Sequence, residues 1–349
     1  MSTSARLLSL ACASPPHDFP QDEVSAQVRR IVGPRFRDFD RYFPVFANSG
    51  IVHRQAVMPM DWYYEDRTWP ERTAVYLTGA VDLFCAAAEA ALQRAGLEPG
   101  DVDTIVTISS TGISTPSLEA RAMERIAFRP DVARVPVFGL GCAGGVTGLS
   151  LGARLAKAQP GSVVLVVAVE LCTLSCRLDE ITSASIVATA LFGDGAAACV
   201  LKSGPGDGLA EITGAAEHTW PGSLDVMGWS VDPLGFGVIF DRSIPGLVQK
   251  RLRPVMETAL GKMGLSMAEV DRFVCHPGGA KVVEALESAL DLGQGALTVE
   301  REVLADHGNM SAPTAIFVLE RVLAAGTRGD LVMTALGPGF TASCLSMAA

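Results

Sequence analysis

Positive charge is in short supply. The chain carries 28 Lys and Arg against 38 Asp and Glu, a net charge of −10. No basic run exists to neutralise a phosphate backbone, which excludes nucleic acid as a partner. Long apolar runs are also missing. The longest strongly apolar stretch, Ser162 to Val169, is far shorter than the roughly 20 residues that cross a bilayer, so no integral membrane segment is expected. The opening MSTSARLLSLACASPP has one Arg, a short apolar run and Ala-Cys-Ala, a faint likeness to a secretory leader. That run stops at Pro15-Pro16 and reads better as a first strand. The eight cysteines show no paired spacing, which points to a reducing, cytoplasmic setting. Cys172 and Cys176 have no second Cys or His pair nearby, so no metal site is expected. Phe192-Gly-Asp-Gly precedes a strand pattern rather than a helix, so it is no dinucleotide fingerprint and no cofactor is expected.

What is present centres on Val135 to Lys157, VPVFGLGCAGGVTGLSLGARLAK. An apolar run enters the small-residue turn Gly141-Cys142-Ala143-Gly144-Gly145, and a helical pattern follows. Read as strand, turn and helix, this places Cys142 at a helix N-terminus, where free N–H groups and the dipole favour a thiolate. Glycines on both sides leave room for a thioester to approach. A buried cysteine by itself is more often a packing residue, so the reading depends on partners elsewhere.

Along the chain, residues 21–45 read as a polar helix and an aromatic-rich linker, and 50–70 as an irregular surface segment. Residues 73–95 read as an Ala-rich helix ending at Gly96. Strands are expected at Val102–Ile108, Ser162–Val169 and Ala196–Leu201, with a helix at Ser117–Ile126. Gly204-Pro-Gly-Asp-Gly208 is the best linker candidate, which divides the chain at 1–205 and 206–349. The second part repeats the first. Val102-Asp103 matches Val270-Asp271 at an offset of 271 − 103 = 168, and Gly161 matches Gly329 at 329 − 161 = 168. The Cys142 helix matches a segment beginning at Asn309, at 309 − 142 = 167. A duplicated α/β unit paired about a pseudo-twofold axis is expected. It would bring Cys142, His276 (at a strand end) and Asn309 (starting a helix) to one place, because ligands gather at such ends. Taken singly, His276 is more often a core histidine and Asn309 an ordinary cap. His307 reads as loop, and His17, His53 and His218 have no evident partner.

The motifs GCAGG, FGDGAA at Phe192–Ala197, HPGG at His276, HGNMSAPT at His307–Thr314 and LGPGF at Leu336–Phe340 together resemble the type III polyketide synthases. These are the chalcone synthase-like members of the thiolase superfamily. Among them the chain is nearest in character to bacterial alkylpyrone and alkylresorcinol synthases. The resemblance implies a five-layer αβαβα fold, a homodimer, and a Cys142–His276–Asn309 triad. It implies that Phe192 is one gatekeeper phenylalanine and that Val238 replaces a second, widening the passage. Ser175 and Thr115 fall on cavity-lining positions, and the Thr115-Pro116 loop on one that reaches the partner's site and can hold a cis proline. Glu170, Ser110 and Ser311 match a network that steers cyclisation, and Gly337, Pro338 and Gly339 a cavity wall. Arg41 and Arg54 remain as CoA-binding candidates, with Pro44 and Asn48 at other positions where the family is basic.

The implied chemistry pairs a His276 imidazolium with a Cys142 thiolate, lowering the thiol into the reactive range. A starter acyl-CoA, expected to be fatty acyl, is loaded on Cys142 and extended by decarboxylative condensation with malonyl-CoA to an alkylpyrone or alkylresorcinol. An acyl carrier protein is an alternative donor. Three readings compete with this one. They are a ketoacyl-carrier-protein synthase III-like enzyme making one extension, a cysteine acyl-thioester hydrolase, and a non-catalytic scaffold of the same fold.

Overall fold

A computed structural model describes residues 4–179 and 181–349. Its strands among these residues are β1 (Ala5–Ala13), β2 (His17–Pro20), β3 (His53–Ala56), β4 (Thr104–Ile108), β5 (Ala133–Val137), β6 (Val163–Leu171), β7 (Asp194–Ser203), β8 (Ala210–Thr219), β9 (Met227–Asp232), β10 (Gly235–Phe240), β11 (Arg272–Cys275), β12 (Asp330–Gly337) and β13 (Thr341–Ala348). Nine of them form a continuous sheet in the order β11-β12-β13-β8-β1-β7-β6-β4-β5. β4 pairs parallel with β6, which continues antiparallel into β7 and then β1. β11 pairs parallel with β12, which continues antiparallel into β13 and then β8. The same four-strand pattern therefore occurs twice, and β4 and β11 start at an offset of 272 − 104 = 168. The two copies meet where Ala5–Leu7 of β1 pairs with Ala210–Ile212 of β8.

Three apolar clusters sort the helices into layers. The Trp69–Ala95 helix packs on β1, β6 and β7 through one cluster. The helices Gly144–Ala158 and Thr314–Ala324 lie between the sheet halves, in a cluster that draws side chains from both copies. The Ile244–Lys262 and Ala280–Ala289 helices cover the far face of the second copy. The result is the five-layer αβαβα thiolase-like arrangement. The central helices approach closely because Gly145 faces the Ala312 carbonyl, where a Cβ would not fit.

Several segments differ from expectation. The long helix starts at Trp69, four residues before 73, because Thr68 and Glu71 form a capping box ahead of it. It is apolar enough to cross a membrane but is mostly buried against the sheet, as a core helix is. Residues 50–70 are not wholly irregular, since His53–Ala56 pairs with His17–Pro20. The 117–126 helix is limited to Leu118–Ala122. Asn309 does not begin a helix. That helix starts at Thr314 behind the cap Pro313, and Asn309 lies in the connection before it, bridged to Phe192.

Candidate active site

Cys142 sits in a short 3-10 turn, Gly141–Ala143, that runs directly into the Gly144–Ala158 helix. The turn is tied from below. Gly139 and Gly141 N–H groups donate to Ser110 Oγ at 3.1 and 3.2 Å. Ser110 itself is fixed by Glu170 on β6, whose carboxylate accepts from Ser110 N, Thr111 N and Thr111 Oγ1 at 2.9, 3.0 and 2.7 Å. Burial pushes Glu170 up to about 7 despite these donors. From above, Pro338 packs on Gly141, which has φ +48 and no room for a Cβ. The Gly337–Gly339 loop thus braces the turn that carries Cys142, and through Pro338 it borders the chamber there.

His276 follows β11, and its N–H is held by the Thr334 carbonyl at 2.9 Å. The ring is buried, and neither ring nitrogen has a hydrogen-bond partner among the described residues. Asn309 is fixed by backbone bonds to Leu191 and Gly193. Its Oδ1 accepts from Ser311 N at 2.8 Å, which leaves Nδ2 on the side of the Gly278 carbonyl at 3.3 Å. Cys142 Sγ lies 3.9 Å from Asn309 Oδ1. Cys142, His276 and Asn309 line one hollow of about 20 Å3 with Thr334, Leu336 and Phe240.

The electrostatics differ from the expected ion pair. Burial pushes the Cys142 thiol up to about 11, with Ser311 and Asn309 acting in the opposite direction. Burial pulls His276 down to about 4. No hydrogen bond joins the two, and burial acts against both the thiolate and the imidazolium, opposing the help that the helix terminus gives the thiolate.

Around this centre the sequence candidates separate. Phe192, Val238, Ser311 and Pro338 share a chamber of about 40 Å3 with Cys142. Ser175 does not. It borders another hollow with Thr111 and Arg72, on the far side of Trp229. Thr115 is exposed at a cis Thr115–Pro116 bond and lines none of these spaces. Beside Val238, Trp229 is its cross-strand partner and Phe240 is two residues along the same face, so an indole and a phenyl ring also line the chamber there. Period-two spacing from Val238 is the signal that would have identified Phe240.

Arg41 lies at the mouth, in an outer cavity of about 600 Å3 that also reaches Asn48, Arg242, Lys281, Gly278 and Phe240. Arg242 and Lys281 were missed, although Lys281 stands two residues after HPGG. Arg54 is not a mouth residue. It is buried, donating to the Thr189, Ala190 and Phe192 carbonyls and to Gln21, so it holds the chain that leads into Phe192. His307 ends a helix rather than lying in a loop, and is engaged by Gln55 and Arg321. Cys275, the other thiol near His276, is fully buried beside Glu300. All eight cysteines are free.

Residues 59–205 match the family model for the N-terminal domain of chalcone and stilbene synthases, and residues 211–348 the model for the C-terminal domain. The 1,3,6,8-tetrahydroxynaphthalene synthase of Streptomyces peucetius subsp. caesius is 35% identical over 95% of this chain and 89% of that protein. The 3,5-dihydroxyphenylacetyl-CoA synthase of Amycolatopsis balhimycina is 32% identical over 96% and 91%. The crystal structure of 1,3,6,8-tetrahydroxynaphthalene synthase from Streptomyces coelicolor A3(2), a bacterial type III polyketide synthase, superposes with a TM-score of 0.93. It is 25% identical and covers 98% of this chain and 99% of that one. With both domain models matched in order across a duplicated five-layer fold, the chain belongs to the chalcone and stilbene synthase family, the type III polyketide synthases, acyltransferases that condense malonyl-CoA with loss of carbon dioxide.

Proposed function

We propose that Cys142 carries the growing chain while His276 and Asn309 stabilise the enolate formed when malonyl-CoA loses carbon dioxide. The observation behind this is the meeting of thiol, imidazole and amide at one hollow, inside a mouth bearing Arg41, Arg242 and Lys281. In loading, the Cys142 sulfur attacks the starter thioester, the thiol proton passes to neutral His276, and the departing CoA thiolate takes it. His276 is then again a neutral donor. The malonyl thioester oxygen faces His276 Nε2–H and Asn309 Nδ2–H, each worth about 3 kcal/mol to the developing enolate. Carbon dioxide leaves, the freed electron pair attacks the acyl carbon, and the Cys142 thiolate is expelled. Ser311 N–H supports the geometry by holding Asn309 Oδ1, and the three mouth cations suit the phosphates of CoA.

We favour a fatty acyl starter and an alkylpyrone or alkylresorcinol product. An apolar cavity of about 70 Å3 lies behind the Phe192 segment, lined by Val24, Val28, Tyr63, Cys176 and Ile186. An alkyl tail gains about 0.8 kcal/mol per CH2 buried in such a space. We also place the enzyme in the cytoplasm as a homodimer. Exposed Ile113 and Phe138 flank the Thr115 loop and the β5 edge, an apolar surface suited to a second copy. The test is mass spectrometry of products from a graded acyl-CoA panel with malonyl-CoA, alongside carrier-protein thioesters as donors. Products that retain a long alkyl tail are expected, absent from Cys142→Ala. Aromatic products formed from malonyl-CoA alone, without any acyl starter, would overturn the fatty starter. Free acid without malonyl-CoA consumption would overturn condensation.

A further inference from the structure

The β9–β10 hairpin turns one face toward Cys142. Trp229 and Val238 are directly opposed in its register, and Met227 and Phe240 form the next pair but one. Directly opposed residues share a face, as do residues two apart along a strand. The Trp229 indole has an aromatic ring on each side: Phe192 at 6.3 Å and 67°, and Phe236 at 6.0 Å and 34°. Phe192 bounds the chamber of about 40 Å3 that holds Cys142. Phe236 bounds the hollow of about 30 Å3 that holds Ser175, Thr111, Gly112 and Arg72. Trp229 lines both.

We infer that Trp229 is a partition that limits how many malonyl units are added, by closing the Cys142 chamber to the hollow beyond. The inference rests on Cys142 as the loading residue. Each extension adds C2H2O to the chain. The malonyl carboxylate leaves as carbon dioxide, its electron pair forms the new carbon–carbon bond, and the Cys142 thiolate leaves and regains a proton. The extended chain stays on CoA until it reloads. The chain therefore lengthens from Cys142 into the near chamber, where the indole meets it. The space beyond is suited to a polyketone rather than to hydrocarbon alone. Arg72 is 6% exposed, and its Nε has no partner among the described residues. With Thr111 and Ser175 it gives this hollow a polar lining that suits the oxygens of a polyketone.

Trp229→Ala and the milder Trp229→Leu, each assayed with malonyl-CoA and a starter the wild type accepts, test this. The longest product should gain at least one C2H2O unit in Trp229→Ala. Thr73→Met, which adds bulk only in the far hollow, should leave wild-type product lengths unchanged and cancel the gain when combined with Trp229→Ala. If the alanine variant does not fold, a gain in Trp229→Leu supports the partition. Unchanged lengths in every variant that still acylates Cys142 and condenses would overturn the partition alone. A wild type that condenses no starter would instead overturn the reaction assignment beneath it.

Discussion

Replacing Asn309 by Asp exchanges one N–H donor for a carboxylate oxygen at a site that is 1% exposed. The Oδ1 that accepts from Ser311 N at 2.8 Å can stay in place. The other oxygen then lies where Nδ2 met the Gly278 carbonyl at 3.3 Å, turning a hydrogen bond into an oxygen–oxygen repulsion. Loss of an oxyanion donor costs about 2.7–4 kcal/mol, or roughly 10²–10³ in rate. A carboxylate about 4 Å from an enolate adds a repulsion of about 4 kcal/mol at an effective dielectric of 20. Decarboxylation of malonyl-CoA should therefore fall by at least about 10³-fold. Loading depends first on the Cys142 thiol and His276, so acylated Cys142 should still accumulate, read by intact-protein mass. Carbon dioxide release is the second readout, with near-ultraviolet circular dichroism to confirm packing. Parallel loss of loading and decarboxylation in a folded variant would refute a special role for Asn309 in the enolate step.

Val238→Phe adds a ring opposite Trp229, and overpacking there costs about 1–3 kcal/mol. Preference should shift to shorter starters in a graded acyl-CoA series, and an unchanged series would count against this pocket. Arg41→Glu and Lys281→Glu should each raise KM for malonyl-CoA with little change in kcat, and the effect should shrink at high salt. Arg54→Met should instead lower the melting temperature, because it strips buried carbonyls of their donor at a cost of about 1–3 kcal/mol each; a pure KM effect would return Arg54 to the mouth. Glu170 gives a pH signature. Its carboxyl is pushed up from 4.5 to about 7, so between these values the native state holds a proton that the unfolded chain has released. The stability it contributes is lost as pH rises through that window, by up to roughly 3 kcal/mol. The melting temperature of Glu170→Gln relative to wild type should thus climb between pH 5 and pH 8, and a flat or falling difference would contradict the assignment.

The duplication was legible because its strands keep their apolar pattern at a constant spacing, as Val102-Asp103 and Val270-Asp271 do. The meeting of Cys142, His276 and Asn309 was legible because each sits in a short motif that contains glycine, a residue that the interiors of helices and strands disfavour. Features that depend on the space between elements were not. Arg54 resembles any surface arginine until the carbonyls of Thr189, Ala190 and Phe192 surround it. Trp229 gains its meaning only from strand register and the two rings beside it. The upward push of burial on the Cys142 thiol was not legible either, because a motif shows a helix terminus but not the depth of burial that opposes it.

The seam between Ala5–Leu7 and Ala210–Ile212, with one helix from each copy sharing the middle layer, bears on how the enzyme is lost. A chain severed at the Gly204–Gly208 turn would give two pieces, each with a middle-layer helix bare on one side. Neither piece holds the whole of the proposed reaction centre, since Cys142 belongs to one and His276 and Asn309 to the other. Heat that parts the copies at this seam should then abolish activity in a molecule outright rather than alter it. A partly inactivated preparation is a mixture of intact and dead enzyme, so the survivors should retain the KM and product spectrum of the fresh sample while only the yield declines.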